Sequence, residues 1–136
     1  MSWDVFLQKF SRTYESLGEM SGDENPQPLG TRQAVQEAIS SVFTSTDWSD
    51  PQWGNLLAEF GSVEFNIGAR DPVQSVALHV RAGDAVIGGI LELCRRLGCQ
   101  AMDPEGGRFL DRSEVPETSL LQWQKYRDRV VGNREA

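Results

Sequence analysis

Two short segments of strictly alternating polarity constrain the fold of this chain more than any other feature. They are SVEFNIG (62–68) and SVALHVR (75–81), and the turn-forming residues ARDPVQ lie between them. Because successive side chains of a strand point to opposite faces, each segment has one apolar face and one polar face. We therefore predict a β-hairpin with one side buried against a core and the other side polar.

Helical periodicity precedes and follows this hairpin. Apolar residues recur at three- and four-residue spacing in three segments, which we predict to be helices: 32–44, 84–97 and 116–131. Thr31 and Asp84 are the expected caps of the first two helices, and Gly98 is a good terminator of the second. Gly88 and Gly89 cost helix propensity, about 1 kcal/mol each, and so indicate close packing against the sheet.

The remaining elements complete a simple order. WDVFLQKF (3–10) reads as a strand, 99–103 and 108–111 as a second hairpin, and 11–30 as a long polar loop. The segment STDWSDPQWGN is turn-rich, with a short helical turn expected around Leu56 to Phe60.

The resulting order, β-α-β-β-α-β-β-α, predicts an α+β fold. We expect a mostly antiparallel sheet of about five strands with the helices packed on one face. Residues 1–136 are predicted to form a single globular domain, which suits 136 residues, with 132–136 as a frayed tail. In the last helix, Leu120, Trp123, Tyr126 and Val130 are expected to point inward.

Charge narrows the choice of partner. The chain has 20 acidic and 13 basic residues, a net charge of −7, and residues 1–60 carry nine of the acids and three of the bases. This sign opposes binding to nucleic acid and to anionic membranes, but it attracts a basic protein. The beginning of the chain has no signal-peptide pattern and no apolar run is long enough for a membrane helix, so we expect a cytoplasmic protein.

Patterns of catalytic and metal sites are missing from the sequence. With one histidine and two cysteines, ligand clusters for a metal are not available, and neither a nucleophile elbow nor a phosphate loop occurs. We therefore expect no enzyme, no cofactor and no metal. Cys94 and Cys99 are interpreted as small buried hydrophobes, with a redox pair as the alternative.

The polar side of the predicted hairpin is the sharpest candidate site. Glu64, Asn66, His79 and Arg81 alternate outward on the two strands, and Asp4 and Gln8 are expected beside them. This face either binds a partner or a small ligand, or it is simply a solvated sheet surface.

A second candidate lies in the segment DWSDPQW. Trp48 and Trp53 flank a turn in an acidic loop together with Asp47 and Asp50, and tryptophans on loops often anchor interfaces. The alternative is that both indole rings tuck inward against the small core.

The chain resembles a family of small bacterial proteins of uncharacterised function along nearly its whole length. The residues that carry the resemblance are Ser2–Asp4, Pro28–Arg32, Asp47–Gly54, Val63–Gly68, His79–Asp84 and Trp123–Asp128. Ala82 stands where such sequences often have a glycine. The resemblance brings no catalytic residues, and it implies an association with bacterial toxins, as immunity proteins.

These observations favour a non-enzymatic protein-binding domain, an immunity-like protein that neutralises a basic toxin domain. Its predicted contacts are Asp47, Trp48, Asp50, Trp53, Glu64, Asn66, His79 and Arg81. The alternative function is a small hydrolase or anionic-ligand-binding protein that uses Glu64, His79 and Arg81. A third interpretation is a homodimer formed through open sheet edges.

Overall fold

An antiparallel sheet of seven strands organises the molecule. The computed structural model describes residues 2–20 and 22–135, with backbone alone for 131–135. The strands are β1 (Trp3–Gln8), β2 (Asp47–Asp50), β3 (Trp53–Ala58), β4 (Gly61–Asn66), β5 (Val76–Ala82), β6 (Gln100–Asp103) and β7 (Arg108–Phe109). Their order across the sheet is β2-β3-β4-β5-β1-β6-β7, with antiparallel pairing throughout.

Three α-helices contribute to the main core on one side of this sheet. They are α1 (Arg32–Val42), α2 (Val86–Leu97) and α3 (Thr118–Glu135). Val35 and Ile39 of α1, Ile90 of α2 and Leu120 of α3 are fully buried in the same cluster as the inward side chains of the sheet. The predicted α+β class and the antiparallel sheet are therefore confirmed, although the sheet has seven strands where about five were expected.

The central hairpin forms as its alternation predicts. Val63 pairs with Val80 and Phe65 with Leu78, and all four side chains have no exposed surface. β1 lies on the other side of β5, where Val5 faces Leu78, so that three adjacent strands line the core with apolar side chains. Burial of this one face fixes the register, because a slip of one residue would turn every apolar side chain outward.

The two additional strands come from the segment that the sequence predicted to be loop and helical turn. Pro51 and Gln52 form the turn between β2 and β3, and the Asp50 carboxylate accepts a hydrogen bond from the Gln52 N–H (2.9 Å). β3 pairs with β4 along its whole length. The prediction of a helical turn around Leu56 was therefore wrong, because the exposed edge of β4 provides ladder partners that the local pattern does not reveal.

Helix ends show which local signals are reliable. The Thr31 hydroxyl accepts a hydrogen bond from the Ala34 N–H (3.1 Å), as predicted, and Gly98 ends α2 in the left-handed conformation at φ 63°. Asp84 does not cap α2, because the helix begins two residues later at Val86 and has no side-chain cap.

The last helix departs from its predicted orientation. Leu120 and Trp123 reach the main core, but Tyr126 is 55% exposed, so the prediction that Tyr126 points inward was wrong. α3 also continues beyond Gly132 to Glu135. Its residues in the main core, Leu120 and Trp123, lie in its first half. The expected frayed tail, 132–136, ends at Ala136, which lies outside the described residues, and it stays a prediction.

Residues 9–20 and 22–27, which we call the covering segment, close part of the second side of the sheet. Phe10 and Tyr14 pack with Phe109 of β7 in a small second core. The Glu24 carboxylate accepts hydrogen bonds from the Ser11 N–H and hydroxyl (2.8 Å each) and from the Tyr14 hydroxyl. The predicted polar loop is thus tied down over the β6–β7 end of the sheet.

None of the helices among the described residues has the length and apolar character that a membrane span requires.

We expect Gly89→Ala to destabilise the protein, although alanine is the better helix former. A Cβ at Gly89 would lie 2.6 Å from Cζ of the buried Phe43 ring, not against the sheet as the sequence suggested. Overpacking costs about 1–3 kcal/mol, more than the gain of about 1 kcal/mol in helix propensity. Gly88→Ala is the matched control, because that Cβ meets nothing within 4 Å. Urea denaturation should show a lower midpoint for Gly89→Ala and a higher one for Gly88→Ala.

We expect Glu24→Gln to weaken the acid dependence of stability. Hydrogen bonds from Tyr14 and then Ser11 hold the pKa of Glu24 below its ordinary value of 4.5. A depressed pKa stabilises the fold above the ordinary value, and this contribution is lost as the pH falls through the lower folded value. The free energy of unfolding should therefore fall less between neutral and acidic pH in Glu24→Gln than in the wild type. An unchanged slope would contradict the assignment, and the exposed Glu59→Gln is the control.

Candidate functional site

The sheet surface opposite the helices remains accessible over β2, β3, β4, β5 and the start of β1. We call this surface the open face. Its accessible side chains alternate with the buried ones along each strand. They are Asp4, Asp47, Asp50, Trp53, Asn55, Leu57, Ser62, Glu64, Asn66, His79 and Arg81. Seven of the eight residues predicted from the sequence lie here; Trp48 does not.

One continuous row of polar residues, which we call the polar row, crosses five strands of the open face. Asp47 pairs with Asn55, Asn55 with Glu64, Glu64 with His79, and His79 with Asp4. Directly opposite residues of neighbouring strands have Cβ atoms about 4.5–5.5 Å apart, so each member of the row lies beside the next. The sequence predicted the Glu64–His79 part of this row, and the pairing of β3 and β2 extends it to the sheet edge.

An ion pair and a hydrogen bond hold the middle of the row in place. Arg81 Nη1 lies 3.1 Å from Glu64 Oε1, and His79 Nδ1 lies 2.9 Å from Asp4 Oδ1. The side chains of Glu64 and Arg81 are both 41% exposed, and that of His79 is 27% exposed. Exposed pairs of this kind add little stability, typically about 0–1 kcal/mol. Their main consequence here is a fixed arrangement of charges at the surface.

Trp53 stacks on the imidazole of His79. The two ring centroids are 6.0 Å apart with an angle of 23° between the ring planes, and both side chains are half-buried. Trp53 is therefore ordered on the open face before any partner arrives. A rigid aromatic side chain offers a large contact area at low entropic cost, which is why tryptophan is frequent among interface anchors.

Leu57 is the most exposed large apolar residue of the described chain that belongs to a strand. It is 86% exposed and pairs with Ser62, which in turn faces Arg81. Leu57 and Trp53 lie on the same side of β3, four positions apart. The polar row thus has one apolar side chain on each side, Trp53 on one and Leu57 on the other.

Trp48 lies on the opposite side of its strand. Its indole N–H donates a hydrogen bond to the Ser40 hydroxyl of α1 (2.9 Å), and its ring packs on the main core over Gly54. A register shift between Asp47 and Asp50 allows both of these acidic residues to face β3 partners on the open face. The structure therefore separates Trp48 from the other predicted contacts and keeps Trp53 among them.

Asp47 carries a stable negative charge at the edge of the open face. The hydroxyl and the N–H of Ser49 donate hydrogen bonds to its Oδ1 (2.6 and 2.7 Å) and lower the pKa of the carboxyl below its ordinary value. Asp47 therefore remains ionised at neutral pH. It also lines a shallow depression of about 400 Å³ that continues along Asn55 and Glu64.

The shape of the open face bears on its chemistry. The depression beside Glu64 is lined by β2, β3 and β4 residues and does not include His79 or Arg81. Glu64, His79 and Arg81 are neighbours on the sheet surface, where Glu64 is paired with Arg81 and His79 with Asp4. Among residues 2–20 and 22–135, three or more carboxylate, imidazole or thiol groups never come together as a metal site.

Two members of the open face, Asn55 and Leu57, were not foreseen from the sequence. The signal was present, because Gly54 and Leu56 alternate with them along WGNLLA. The alternation covers too few residues to distinguish a strand from a turn without knowledge of the neighbouring strand.

Comparison of the chain with protein-family models, with curated proteins and with solved structures finds no match.

We expect Leu57→Ser to leave stability nearly unchanged, within about 0.5 kcal/mol, since an exposed side chain makes no packing contact worth more. Its neighbour Leu56 is 5% exposed in the main core, so Leu56→Ala should cost about 2–5 kcal/mol. Urea denaturation of the two variants measures the difference. A large loss for Leu57→Ser would mean that Leu57 supports the fold, which would contradict its assignment to an accessible surface.

Proposed function

We propose that this chain is a non-enzymatic protein-binding domain that docks a partner on the open face. The observation that supports the proposal is the placement of Trp53 and Leu57, an ordered indole and an 86% exposed aliphatic side chain, on either side of a charged row. Interfaces typically combine a few aromatic or apolar anchors with a polar surround.

Charge favours a basic partner. The ionised residues of the open face are one guanidinium, Arg81, and four carboxylates, those of Asp4, Asp47, Asp50 and Glu64. With His79 counted as neutral, their net charge is −3. The whole chain has the same sign, with a net charge of −7. Complementary charge accelerates association and fixes the orientation of docking.

The geometry favours binding over hydrolysis for Glu64, His79 and Arg81. A hydrolase needs its acid, base and anion-holding group around one site where a reacting atom sits and water is controlled. On the open face, Glu64 is paired with Arg81 and His79 with Asp4. Hydrolysis or binding of a small anion therefore remains the alternative function, without a specific observation in its favour.

A second copy of the chain suits the open face less well than a basic protein. Two copies meeting through this surface, or through the edge strand β2, would bring Asp47 and Asp50 against acidic residues of the same surface. Like charges in contact oppose association. Homodimerisation is accordingly an outcome to exclude by sedimentation, not the proposal.

The resemblance described above gives the partner its most concrete form. We propose a bacterial immunity-like role in the cytoplasm, in which the open face covers a basic surface of a toxin domain and blocks its activity. Toxins that act on nucleic acid present such basic surfaces, because they must contact phosphates. The carboxylates of the polar row would bind the basic groups of the toxin that otherwise contact the phosphates of the nucleic acid.

The proposal predicts that open-face variants lose their partner. The wild-type chain, immobilised, is exposed to a lysate of the cells that encode it, and any stoichiometric protein retained is identified, expressed and titrated calorimetrically. Trp53→Ala should weaken this complex by at least about 2 kcal/mol, roughly thirtyfold in Kd. His79→Ala and Arg81→Ala should weaken it as well, and added salt should slow association.

Leu121→Ser and Tyr126→Ser on α3 are the matched controls, because both residues are exposed and neither lies on the open face. They should bind as the wild type does. The captured protein should be basic, and its co-expression with the wild-type chain should suppress its toxicity. Unchanged affinity of correctly folded Trp53→Ala and Arg81→Ala would refute docking on the open face. An acidic or non-toxic partner would refute the immunity-like role while leaving protein binding intact.

A further inference from the structure

A cleft away from the open face has an unusual lining. It encloses about 530 Å³ between the start of the covering segment, the end of α2, the start of β6 and the turn after β7. The two cysteines of the chain, Cys94 and Cys99, both form part of its wall. The proposed docking function uses neither the cleft nor the thiols.

The end of α2 brings the two thiols together. Gly98 adopts the left-handed conformation, and the Cys99 N–H donates a hydrogen bond to the Cys94 carbonyl (3.0 Å). This six-residue closure is the Schellman motif, in which the side chains at the two closing positions come into contact. The Cys94 thiol is accordingly within hydrogen-bonding reach of the Cys99 side chain, and formation of a disulfide requires the two cysteines to be close neighbours. The pairing follows from the backbone turn.

The thiols have different environments. Cys94 is 3% exposed, and a hydrogen bond to the Cys99 side chain, together with burial, raises the pKa of the Cys94 thiol far above its ordinary value. Cys94 therefore keeps its proton at neutral pH. Cys99, 9% exposed, is the more accessible of the two thiols, and access is one of the factors that decide which thiol reacts first.

Three arginine side chains line the same cleft as the thiols. Arg12, Arg95 and Arg112 line the cleft, against one carboxylate, Asp111. The ion pairs of Arg12 with Glu19 and of Arg112 with Glu15 measure 3.8 and 3.7 Å, longer than hydrogen bonds. Arg95 donates two hydrogen bonds to Glu92, from Nε (2.9 Å) and from Nη2 (2.6 Å). Since each guanidinium has five donors, these groups retain capacity for an incoming carboxylate. In an acidic protein, this concentration of arginines favours a small anionic ligand.

We propose that Cys94 and Cys99 form a reversible dithiol–disulfide pair whose oxidant is an anionic low-molecular-weight disulfide, bound in this cleft by Arg12, Arg95 and Arg112. A tripeptide disulfide such as oxidised glutathione belongs to this chemical class. Oxidation would covalently join the last turn of α2, at Cys94, to Cys99, the residue directly before β6.

The exchange balances in two steps. The Cys99 thiolate attacks one sulfur of the small disulfide, which forms a mixed disulfide and releases one small thiolate. The Cys94 thiol then gives up its proton to that thiolate and attacks the Cys99 sulfur, releasing the second small thiolate. The protein thiols lose two electrons and the small disulfide gains two. Excess small thiol runs the same steps backward.

The test begins with the full-length chain incubated with oxidised glutathione. Mass spectrometry after alkylation should show that both thiols become protected together, with a Cys94–Cys99 linkage in the peptide map, no lasting adduct and no intermolecular dimer. Reduced glutathione in excess should restore both thiols. Persistence of both free thiols in excess oxidised glutathione, with circular dichroism showing a folded chain, would overturn the proposal without the need for any variant.

Two cysteine variants assign the roles. In Cys94→Ser the second step is blocked, so a single glutathione adduct should accumulate on Cys99. In Cys99→Ser we expect no adduct, because the remaining thiol is protonated and buried. An adduct on Cys94 at the same rate would overturn the assignment of Cys99 as the attacking group.

An anionic and a neutral oxidant together distinguish the reactivity of the thiols from the binding of the oxidant by the arginines. Replacement of Arg12, Arg95 and Arg112 by glutamine should slow oxidation by glutathione disulfide about tenfold through lost electrostatic attraction. Oxidation by the neutral bis(2-hydroxyethyl) disulfide should be unaffected by the same replacements. Equal rates of the wild type and the triple variant with both oxidants would remove the arginines from the proposal. Binding of a protein to the open face is measured separately, so failure here leaves the docking function untouched.

Discussion

The burial of one face of β1, β4 and β5 is the constraint on which the rest of the structure depends. Val5, Val63, Phe65, Leu78 and Val80 have no exposed surface, and their alternation leaves the register of three adjacent strands no freedom. The helices complete that burial from one side. Every residue between the buried ones is consequently directed to the other side, so the polar row of the open face is a geometric consequence of the core.

The second side of the sheet has two different surfaces. At the β6–β7 end, the covering segment buries Phe10, Tyr14 and Phe109 in a small core that is tied by Glu24. At the β2–β5 end nothing among the described residues covers the strands, and Trp53 and Leu57 remain accessible. The same sheet face thus supports the fold at one end and offers a charged surface with apolar anchors at the other. This division is the physical basis for assigning docking to the open face.

The open face and the cleft that contains Cys94 and Cys99 have opposite electrostatic character. Acidic residues dominate the first, and arginines line the second together with Cys94 and Cys99. A basic macromolecule and a small anion would therefore be attracted to different parts of the molecule. The side chains of the two sites are also positioned by different features of the backbone. Cross-strand pairing aligns the polar row, whereas the left-handed turn at Gly98 positions the thiols.

Local sequence determined the elements whose pattern is long and uninterrupted. The β4–β5 hairpin, the Thr31 cap, the end of α2 at Gly98 and the outward group around His79 all follow from periodicity or from backbone chemistry within a few residues. Tertiary structure alone decided the β2–β3 hairpin, the opposite sides taken by Trp48 and Trp53, and the exposure of Tyr126. The reason is the same in each case. A short alternating segment becomes a strand when a neighbouring edge supplies its hydrogen-bond partners, and an aromatic side chain turns inward when a surface lies within its reach, and both conditions depend on residues distant in the chain.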